Sequence, residues 1–304
     1  MMQKYSIFNL VKNAFSNHEN WDLAWKDPTP KEEYYVVIIG GGGHGLATAY
    51  YLAKEHNITN VAIIEKGWIG GGNVGRNTTI IRSNYMHDEN GLFSEFGMDL
   101  WRKMSQDLNY NVMFSPRGII NLAHSDAQMN AYARRGNSMR LNGIDAVLLN
   151  REQVKEIIPM ADFSENVRFP IFGGLMQPSA GTARHDAVAW GYARQADSMG
   201  VDIIQNCEVI GFDVSAGKIN GIRTSRGNIK AKKVGICVAG STNILAEKLN
   251  MTLPIETHLL QACVSEPVKP VLDNVVTFGA GHFYVSQSDK GEMVMGGDLD
   301  GYNS

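Results

Sequence analysis

The stretch YYVVIIGGGGHGLATAYYLAKEH at residues 34–56, followed by NVAIIEKG at residues 60–67, decides the fold of this chain. Its first apolar run is typical of a buried strand. Apolar residues then recur at helical spacing, and a second buried strand follows. The apolar face of that helix is formed by Leu46, Ala49, Tyr50 and Ala53. The stretch therefore predicts a β–α–β unit with a glycine-rich turn between its first strand and its helix.

The glycine-rich turn has the spacing GxGxxG directly after a strand. Gly40, Gly42 and Gly45 form the motif, and Gly43 between them is a further candidate for cofactor binding. Glycine there permits a tight turn and a close approach of the backbone to a pyrophosphate, and the helix N-terminus stabilises the anion. Glu65, with Lys66 beside it, ends the second strand, where a carboxylate accepts hydrogen bonds from ribose hydroxyls. The turn predicts a site for the ADP half of a dinucleotide, which is either FAD or NAD.

Two later segments favour FAD. CEVIGFDV at residues 207–214, which contains Val209, is predicted to be a strand beside the adenine. ICVAGSTN at residues 236–243 places Ala239 and Gly240 at another strand end, where small residues let the backbone approach a phosphate or a ribose. A core strand that ends in a turn would explain either segment alone, so only the two together strengthen the prediction of a flavin.

Composition excludes several classes of partner. The 304 residues carry a formal net charge of -3 with both signs mixed, so neither nucleic acid nor a membrane surface is indicated. The 3 cysteines contain no CxxC pair, which predicts neither a disulfide framework nor a zinc site and fits the cytoplasm. We predict no metal, because the histidines lack metal-ligand spacing. These histidines are His87, His124, His258 and His282.

The pattern along the chain predicts an α/β protein: a Rossmann-like FAD-binding domain with an inserted α+β substrate domain. We assign residues 34–91 and 179–254 to the FAD-binding domain, and 92–178 and 255–304 to the substrate domain. Residues 67–85 are predicted to be a loop over the carboxyl ends of the strands, with no regular element before TTIIR at residues 78–82. An arm at 1–33 precedes them, and in it Phe8, Leu10, Val11, Ala14 and Phe15 predict an amphipathic helix that docks on another surface.

Two further residues are candidates for chemistry. Arg82 follows an apolar pair in a loop expected to cross the site, where its guanidinium suits either bidentate capture of a carboxylate or a salt bridge. His185 lies at a helix start, where residue type alone favours a capping or surface role. Arg76 is less specific, and His44 in the glycine turn either packs the loop or approaches the flavin.

Long blocks of this sequence resemble the β subunit of heterotetrameric sarcosine oxidase, from about residue 20 to the end. The blocks are GGGGHGLATAYYLAK, ITNVAIIEKGW, GGNVGRNTTIIRSNY, RHDAVAWGYAR, GVDIIQNCEVIGF and YVSQSDKGEMVMG. The resemblance implies an oxidase that converts sarcosine to glycine and hydrogen peroxide, with O2 as acceptor and the one-carbon unit passed to tetrahydrofolate. It also implies α, γ and δ subunits as partners.

The resemblance assigns roles to single residues. It implies noncovalent FAD and an FMN bonded covalently to His185, which matches the histidine of the family's [KR]HD sequence. Arg82 matches the arginine that related amine oxidases use for the substrate carboxylate, whereas their flavin-proximal arginine is replaced here by Thr79. Because the family continues past Ser304, we expect a C-terminally truncated chain. The alternatives are an oxidase or dehydrogenase of dimethylglycine or another secondary amine, and a non-catalytic flavin-binding subunit.

Overall fold

The structure, a computed structural model, describes residues 7–19, 23–164, 166–279 and 283–299. The chain divides into two compact units. Unit 1 consists of Met1–Asn77 and His185–Glu256, and unit 2 of Thr78–Arg184 and Thr257–Ser304.

The described residues contain α-helices, strands and two short 3₁₀ helices. The α-helices are α1 (Ile7–Phe15), α2 (Gly43–His56), α3 (Asp88–Asp107), α4 (Asp126–Leu141), α5 (Arg151–Ile157), α6 (His185–Ser198) and α7 (Thr242–Glu247). The strands are β1 (Glu33–Ile39), β2 (Val61–Ile64), β3 (Ile80–Ile81), β4 (Ile119–Ala123), β5 (Val147–Asn150), β6 (Gly173–Gln177), β7 (Gly181–Thr182), β8 (Asp202–Ile204), β9 (Val209–Ser215), β10 (Lys218–Thr224), β11 (Gly227–Ile236), β12 (Leu260–Pro267), β13 (Val275–Phe278), β14 (Phe283–Gln287) and β15 (Glu292–Leu299). Single turns of 3₁₀ helix lie at Asn73–Arg76 and Ala239–Ser241.

Unit 1 is built on a sheet with the described strand order β8-β2-β1-β11-β10-β9. The first four of these strands are parallel, whereas β11, β10 and β9 form an antiparallel meander. Parallel strands buried on both faces are continuously apolar, which explains the runs VVII and VAII in β1 and β2. The core on this sheet includes Tyr34, Val37, Ile39, Ala62, Ile64, Ile204, Phe212 and Ile229.

Helix α2 packs through the face that the sequence predicts. Leu46, Ala49, Tyr50 and Ala53 are all buried, and the Tyr50 ring meets the ring of Tyr192 on α6 with centroids 5.4 Å apart. The helix ends at Asn57, whose left-handed backbone (φ 52°) lets its N–H donate to the carbonyl of Leu52. The predicted β–α–β unit is thereby confirmed.

Unit 2 holds a mixed sheet with the described order β12-β15-β14-β13-β4-β6-β5. Its helices α4 and α5 begin at side-chain caps: Ser125 accepts from the N–H of Gln128, and Asn150 forms a capping box with Gln153. A separate two-stranded pair joins β3 to β7, with Ile80 opposite Thr182. Buried core residues of unit 2 include Ile120, Leu122, Leu149, Val154, Ile171, Leu272 and Val276.

The structure differs from the predicted organisation at 67–85. Asn73–Arg76 forms a 3₁₀ turn in the part predicted to be irregular, and Ile80–Ile81 of the TTIIR segment forms β3, which pairs with β7. That pairing places Thr78 and the residues after it in unit 2. The first segment of unit 1 therefore ends at Asn77, whereas the first segment of the FAD-binding domain was predicted to end at residue 91.

Helix α1 forms as predicted, but none of its residues is buried within this chain. Across the described ranges, no helix has both the length and the apolar character that crossing a membrane requires. The described residues also contain no group of three or more His, Cys, Asp or Glu side chains placed to hold a metal ion. His282 lies outside the described residues.

Candidate functional site

The predicted dinucleotide residues of unit 1 meet at one edge of its sheet. Because β2, β1 and β11 run parallel, their carboxyl ends lie side by side. The N–H of Gly40 donates to the carbonyl of Ile64 at 2.8 Å, and the N–H of Cys237 donates to that of Ile39 at 2.8 Å. The glycine turn, Glu65 and the Ala239–Gly240 segment therefore follow three neighbouring strand ends.

The glycines of the turn have different physical roles. Gly40 has φ of +106°, and a Cβ on it would lie 2.3 Å from the carbonyl oxygen of Cys237. A Cβ on Gly45 would lie 2.0 Å from the carbonyl oxygen of Gly40. Both positions require glycine for the packing of the protein itself. A Cβ on Gly42, by contrast, would meet nothing within 4 Å, so its lack of a side chain leaves space that a ligand can use.

The start of α2 is suited to an anion. Its N-cap is Gly42, which supplies no side-chain acceptor, and its first turn contains no acidic residue. The first N–H groups of a helix carry partial positive charge and lack intrahelical partners. Nearby, burial raises the pKa of the Cys237 thiol, a shift that a hydrogen bond with Thr48 opposes, so the thiol stays neutral at pH 7. The turn therefore fits a diphosphate, as FAD binding requires.

Glu65 braces this turn. Its carboxylate accepts the N–H of Gly41 at 2.8 Å and the N–H of Gly67 at 2.8 Å, one on each oxygen. Each carboxylate oxygen retains a second lone pair, which is available to a ribose hydroxyl. Lys66 is exposed. The position of Glu65 thus fits the ribose role that the sequence predicts for it.

The segments predicted to lie beside the nucleotide start near the same edge. The N–H of Cys207 donates to the carbonyl of Glu65 at 2.9 Å, two residues before Val209. The Val209 side chain is buried in the core of the sheet, which leaves only its main chain for a ligand. Ala239 has a left-handed backbone (φ 47°), and Gly240 follows it in the 3₁₀ turn after β11.

A second glycine motif was missed from the sequence. Gly70, Gly72 and Gly75 repeat the GxGxxG spacing, and their geometry repeats that of the first motif. Gly70 has φ of +89°, a Cβ on Gly75 would lie 2.0 Å from the carbonyl oxygen of Gly70, and a Cβ on Gly72 would meet nothing within 4 Å. The Arg76 guanidinium donates to the carbonyls of Gly71 and Gly72 within the loop. The repeated spacing was the signal that could have found this loop.

His185 is the first residue of α6 and is half-buried. This helix packs against α2 and against the 3₁₀ turn at Asn73–Arg76. The carboxylate of the neighbouring Asp186 accepts the N–H of Ala187 at 2.8 Å. His44 is exposed at the start of α2.

Arg82 belongs to unit 2, directly after β3. Its guanidinium donates to Oδ1 of Asn84 at 2.7 Å and lies 4.5 Å from the centre of the Tyr85 ring. It also lines a cavity of about 330 Å³ whose other walls are mainly apolar. These walls include Ile80, Ile81, Phe93, Phe96 and Trp101. Thr79, directly before β3, has a left-handed backbone (φ 64°), which is uncommon for a β-branched residue.

The chain is similar to a known protein family and to named bacterial proteins. Residues 35–304 match the family described as FAD dependent oxidoreductase. The chain is 60% identical over 301 residues to the sarcosine oxidase subunit beta of Rhizobium meliloti, covering 99% of this chain and 72% of that protein. It is 50% identical to the sarcosine oxidase subunit beta of Rhodobacter capsulatus, covering 100% of this chain and 73% of that protein.

Solved structures agree on the fold. L-proline dehydrogenase from P. horikoshii matches with a TM-score of 0.83 and 27% identity, over 90% of this chain and 72% of that one. Glycine oxidase from Bacillus cereus matches with a TM-score of 0.76 at 21% identity, over 88% and 71% of the respective chains. The predicted flavoprotein fold is thereby confirmed, and the chain belongs to the sarcosine oxidase subunit beta family of the FAD-dependent oxidoreductases.

Proposed function

We propose that this chain is the sarcosine-oxidising subunit of a heterotetrameric sarcosine oxidase that also contains α, γ and δ subunits. It converts sarcosine to glycine, with hydrogen peroxide formed from O2 and the one-carbon unit passed to tetrahydrofolate. The observation that carries the proposal is the 60% identity, along 99% of the chain, to a protein of that name. We also propose that the protein acts in the cytoplasm, which its 3 cysteines without a CxxC pair support.

Single residues of unit 1 can be assigned to the binding of two flavin cofactors, FAD and FMN. We assign noncovalent FAD to the first glycine turn: Gly40 and Gly45 shape the backbone, Gly42 and Gly43 receive the diphosphate at the start of α2, and Glu65 orients the ribose. Lys66, Val209, Ala239 and Gly240 complete this site through their main chain. The half-buried imidazole of His185 is the attachment point of a covalent FMN.

The substrate assignment rests on the surroundings of Arg82. A guanidinium beside an apolar, aromatic-lined cavity suits a small amino acid, since the carboxylate pairs with the arginine and the N-methyl group contacts the rings. Binding of the carboxylate orients the substrate by one end and leaves the methyl carbon as the reacting end. A bound flavin supplies the acceptor for the hydride of that methyl group.

Product analysis in the full-length complex tests the proposal. Sarcosine should give glycine and hydrogen peroxide in equal amounts. Dimethylglycine is the comparison substrate, because it carries the same carboxylate with one more N-methyl group. Turnover of dimethylglycine without turnover of sarcosine would show that the substrate is wrong, and turnover of neither would show a non-catalytic flavin-binding subunit.

A further inference from the structure

Two guanidinium groups converge on one residue of unit 2. Arg82 donates to the side-chain oxygen of Asn84 at 2.7 Å. Arg135, on α4, donates to the main-chain carbonyl of the same residue through Nε at 2.6 Å and also through Nη2. One residue therefore links two cations that lie far apart in the sequence.

Neither cation has an acidic partner in the described part of the chain. No described carboxylate lies within ion-pair distance of Arg82 or Arg135. Glu95 contacts the same segment, but its carboxylate accepts the Ser83 hydroxyl at 2.6 Å and pairs with Arg102 at 2.9 Å. Burial, and next the charge of Arg82, lower the pKa of Arg135 from its ordinary value. Two neighbouring positive charges are thus held partly away from water without a counter-charge.

Asn84 is held rigidly enough to transmit position. It is fully buried, and its amide group donates to Oδ1 of Asn121 at 2.7 Å. Asn121 in turn donates to the hydroxyl of Thr277 on β13. The main chain of Asn84 is clamped by Arg135, so its side-chain oxygen is presented to Arg82 in one place.

A purely structural tie would not require a charge at position 135. A neutral donor can bond a main-chain carbonyl, whereas burying a cation without a counter-ion costs free energy. An anionic ligand removes that cost, and carboxylates are the anions that guanidinium groups bind with matched geometry. Two neighbouring guanidinium groups without a counter-ion, those of Arg82 and Arg135, are therefore the arrangement expected of a carboxylate subsite before its ligand binds.

We propose that Arg135 is a positioning residue for a carboxylate subsite: it holds Asn84, and through Asn84 it holds Arg82, while its charge adds to that of Arg82 in attracting the carboxylate. The ligand class is a small amino acid or its analogue. The identification of that ligand as sarcosine rests on the proposed function.

Calorimetric titration of the flavin-loaded complex tests this role. The probe is methoxyacetate, which has the shape and carboxylate of sarcosine but no amine to oxidise, and the neutral comparison is methoxyacetamide. Arg135→Gln should weaken methoxyacetate binding roughly tenfold, the loss expected for one charge-assisted interaction, and leave methoxyacetamide binding unchanged. Arg135→Lys keeps the charge but not the two-point hold on Asn84, so it should recover only part of the affinity. The control is Arg134→Gln, which removes an exposed arginine from the same helix.

Unchanged methoxyacetate affinity in Arg135→Gln, or an equal loss for both probes, would overturn the proposal. A second variant covers the case in which Arg135→Gln does not fold. Arg82→Gln should still bind methoxyacetate more tightly than methoxyacetamide, because the charge of Arg135 remains, and a complete loss of that preference would also overturn it. Since the probes are not oxidised, these results stand apart from whether sarcosine reduces the flavin.

Discussion

Gly42→Ala and Gly45→Ala place the same methyl group in opposite surroundings of one turn. At Gly45 the new Cβ would lie 2.0 Å from the carbonyl oxygen of Gly40, so the backbone must move. Overpacking of this kind lowers the free energy of unfolding by about 1–3 kcal/mol. Alanine is favoured over glycine in a helix by up to about 1 kcal/mol, which is smaller than the upper part of that cost. At Gly42 the methyl group meets nothing within 4 Å, and the backbone (φ −83°, ψ −179°) is allowed for alanine.

Without FAD, the free energy of unfolding of Gly42→Ala should therefore lie within about 0.5 kcal/mol of the wild-type value. Gly45→Ala without FAD should be clearly less stable than the wild type. With FAD added, Gly42→Ala should become less stable than the wild type. A ligand at 100 times its Kd stabilises a protein by about 2.7 kcal/mol, so a methyl group that blocks the diphosphate abolishes a stabilisation of about that size.

Thermal unfolding followed by circular dichroism, with and without saturating FAD, measures both effects. The wild type and Gly45→Ala should each gain stability on FAD addition, and Gly42→Ala should gain little. If Gly42→Ala bound FAD with wild-type affinity, the diphosphate would not lie against Gly42 and the assignment of this turn would be wrong.

Four further outcomes follow from the structure. His185→Ala should lose the yellow colour that survives acid precipitation but keep extractable FAD; colour that persists excludes this attachment site. Arg82→Gln should raise the KM for sarcosine roughly ten- to hundredfold in steady-state assays, with Arg134→Gln near wild type. Glu65→Gln leaves one acceptor oxygen for two N–H groups, so denaturant titration should show a loss of about 1–3 kcal/mol. Burial raises the pKa of Tyr34 to about 12, so between pH of about 10 and about 12 the unfolded chain releases a proton that the folded protein keeps. The free energy of unfolding should therefore fall as pH rises through this range. A Tyr34→Phe variant that shows the same fall in pH-dependent unfolding would contradict this.

The nucleotide half of the fold could be predicted because its determinants are local. The continuous apolar runs of β1 and β2 reflect burial on both faces, and the glycine spacing reflects backbone contacts between residues five apart, such as Gly40 and Gly45. Glu65 follows from the end of β2. Each of these signals is contained within the stretch 34–67.

The rest of the site depends on contacts between distant segments. Strands β3 and β7 have two residues each, too few for any periodicity, yet their pairing assigns Thr78 and Arg82 to unit 2. Arg135 contacts Asn84 across 51 positions, and its neighbour on α4 is the exposed Arg134, so nothing in the local pattern distinguishes the two. The second glycine motif was detectable by spacing, but it lies in a segment that reads as an irregular loop.

The oxidation of sarcosine by this flavoprotein is tested most directly by anaerobic titration of the full-length complex. One equivalent of sarcosine supplies two electrons, so it should bleach half of the absorbance of the two flavins and release one equivalent of glycine, and a second equivalent should complete the reduction. A flavin that stays oxidised with sarcosine in excess, in a complex that retains its FAD, would contradict the account.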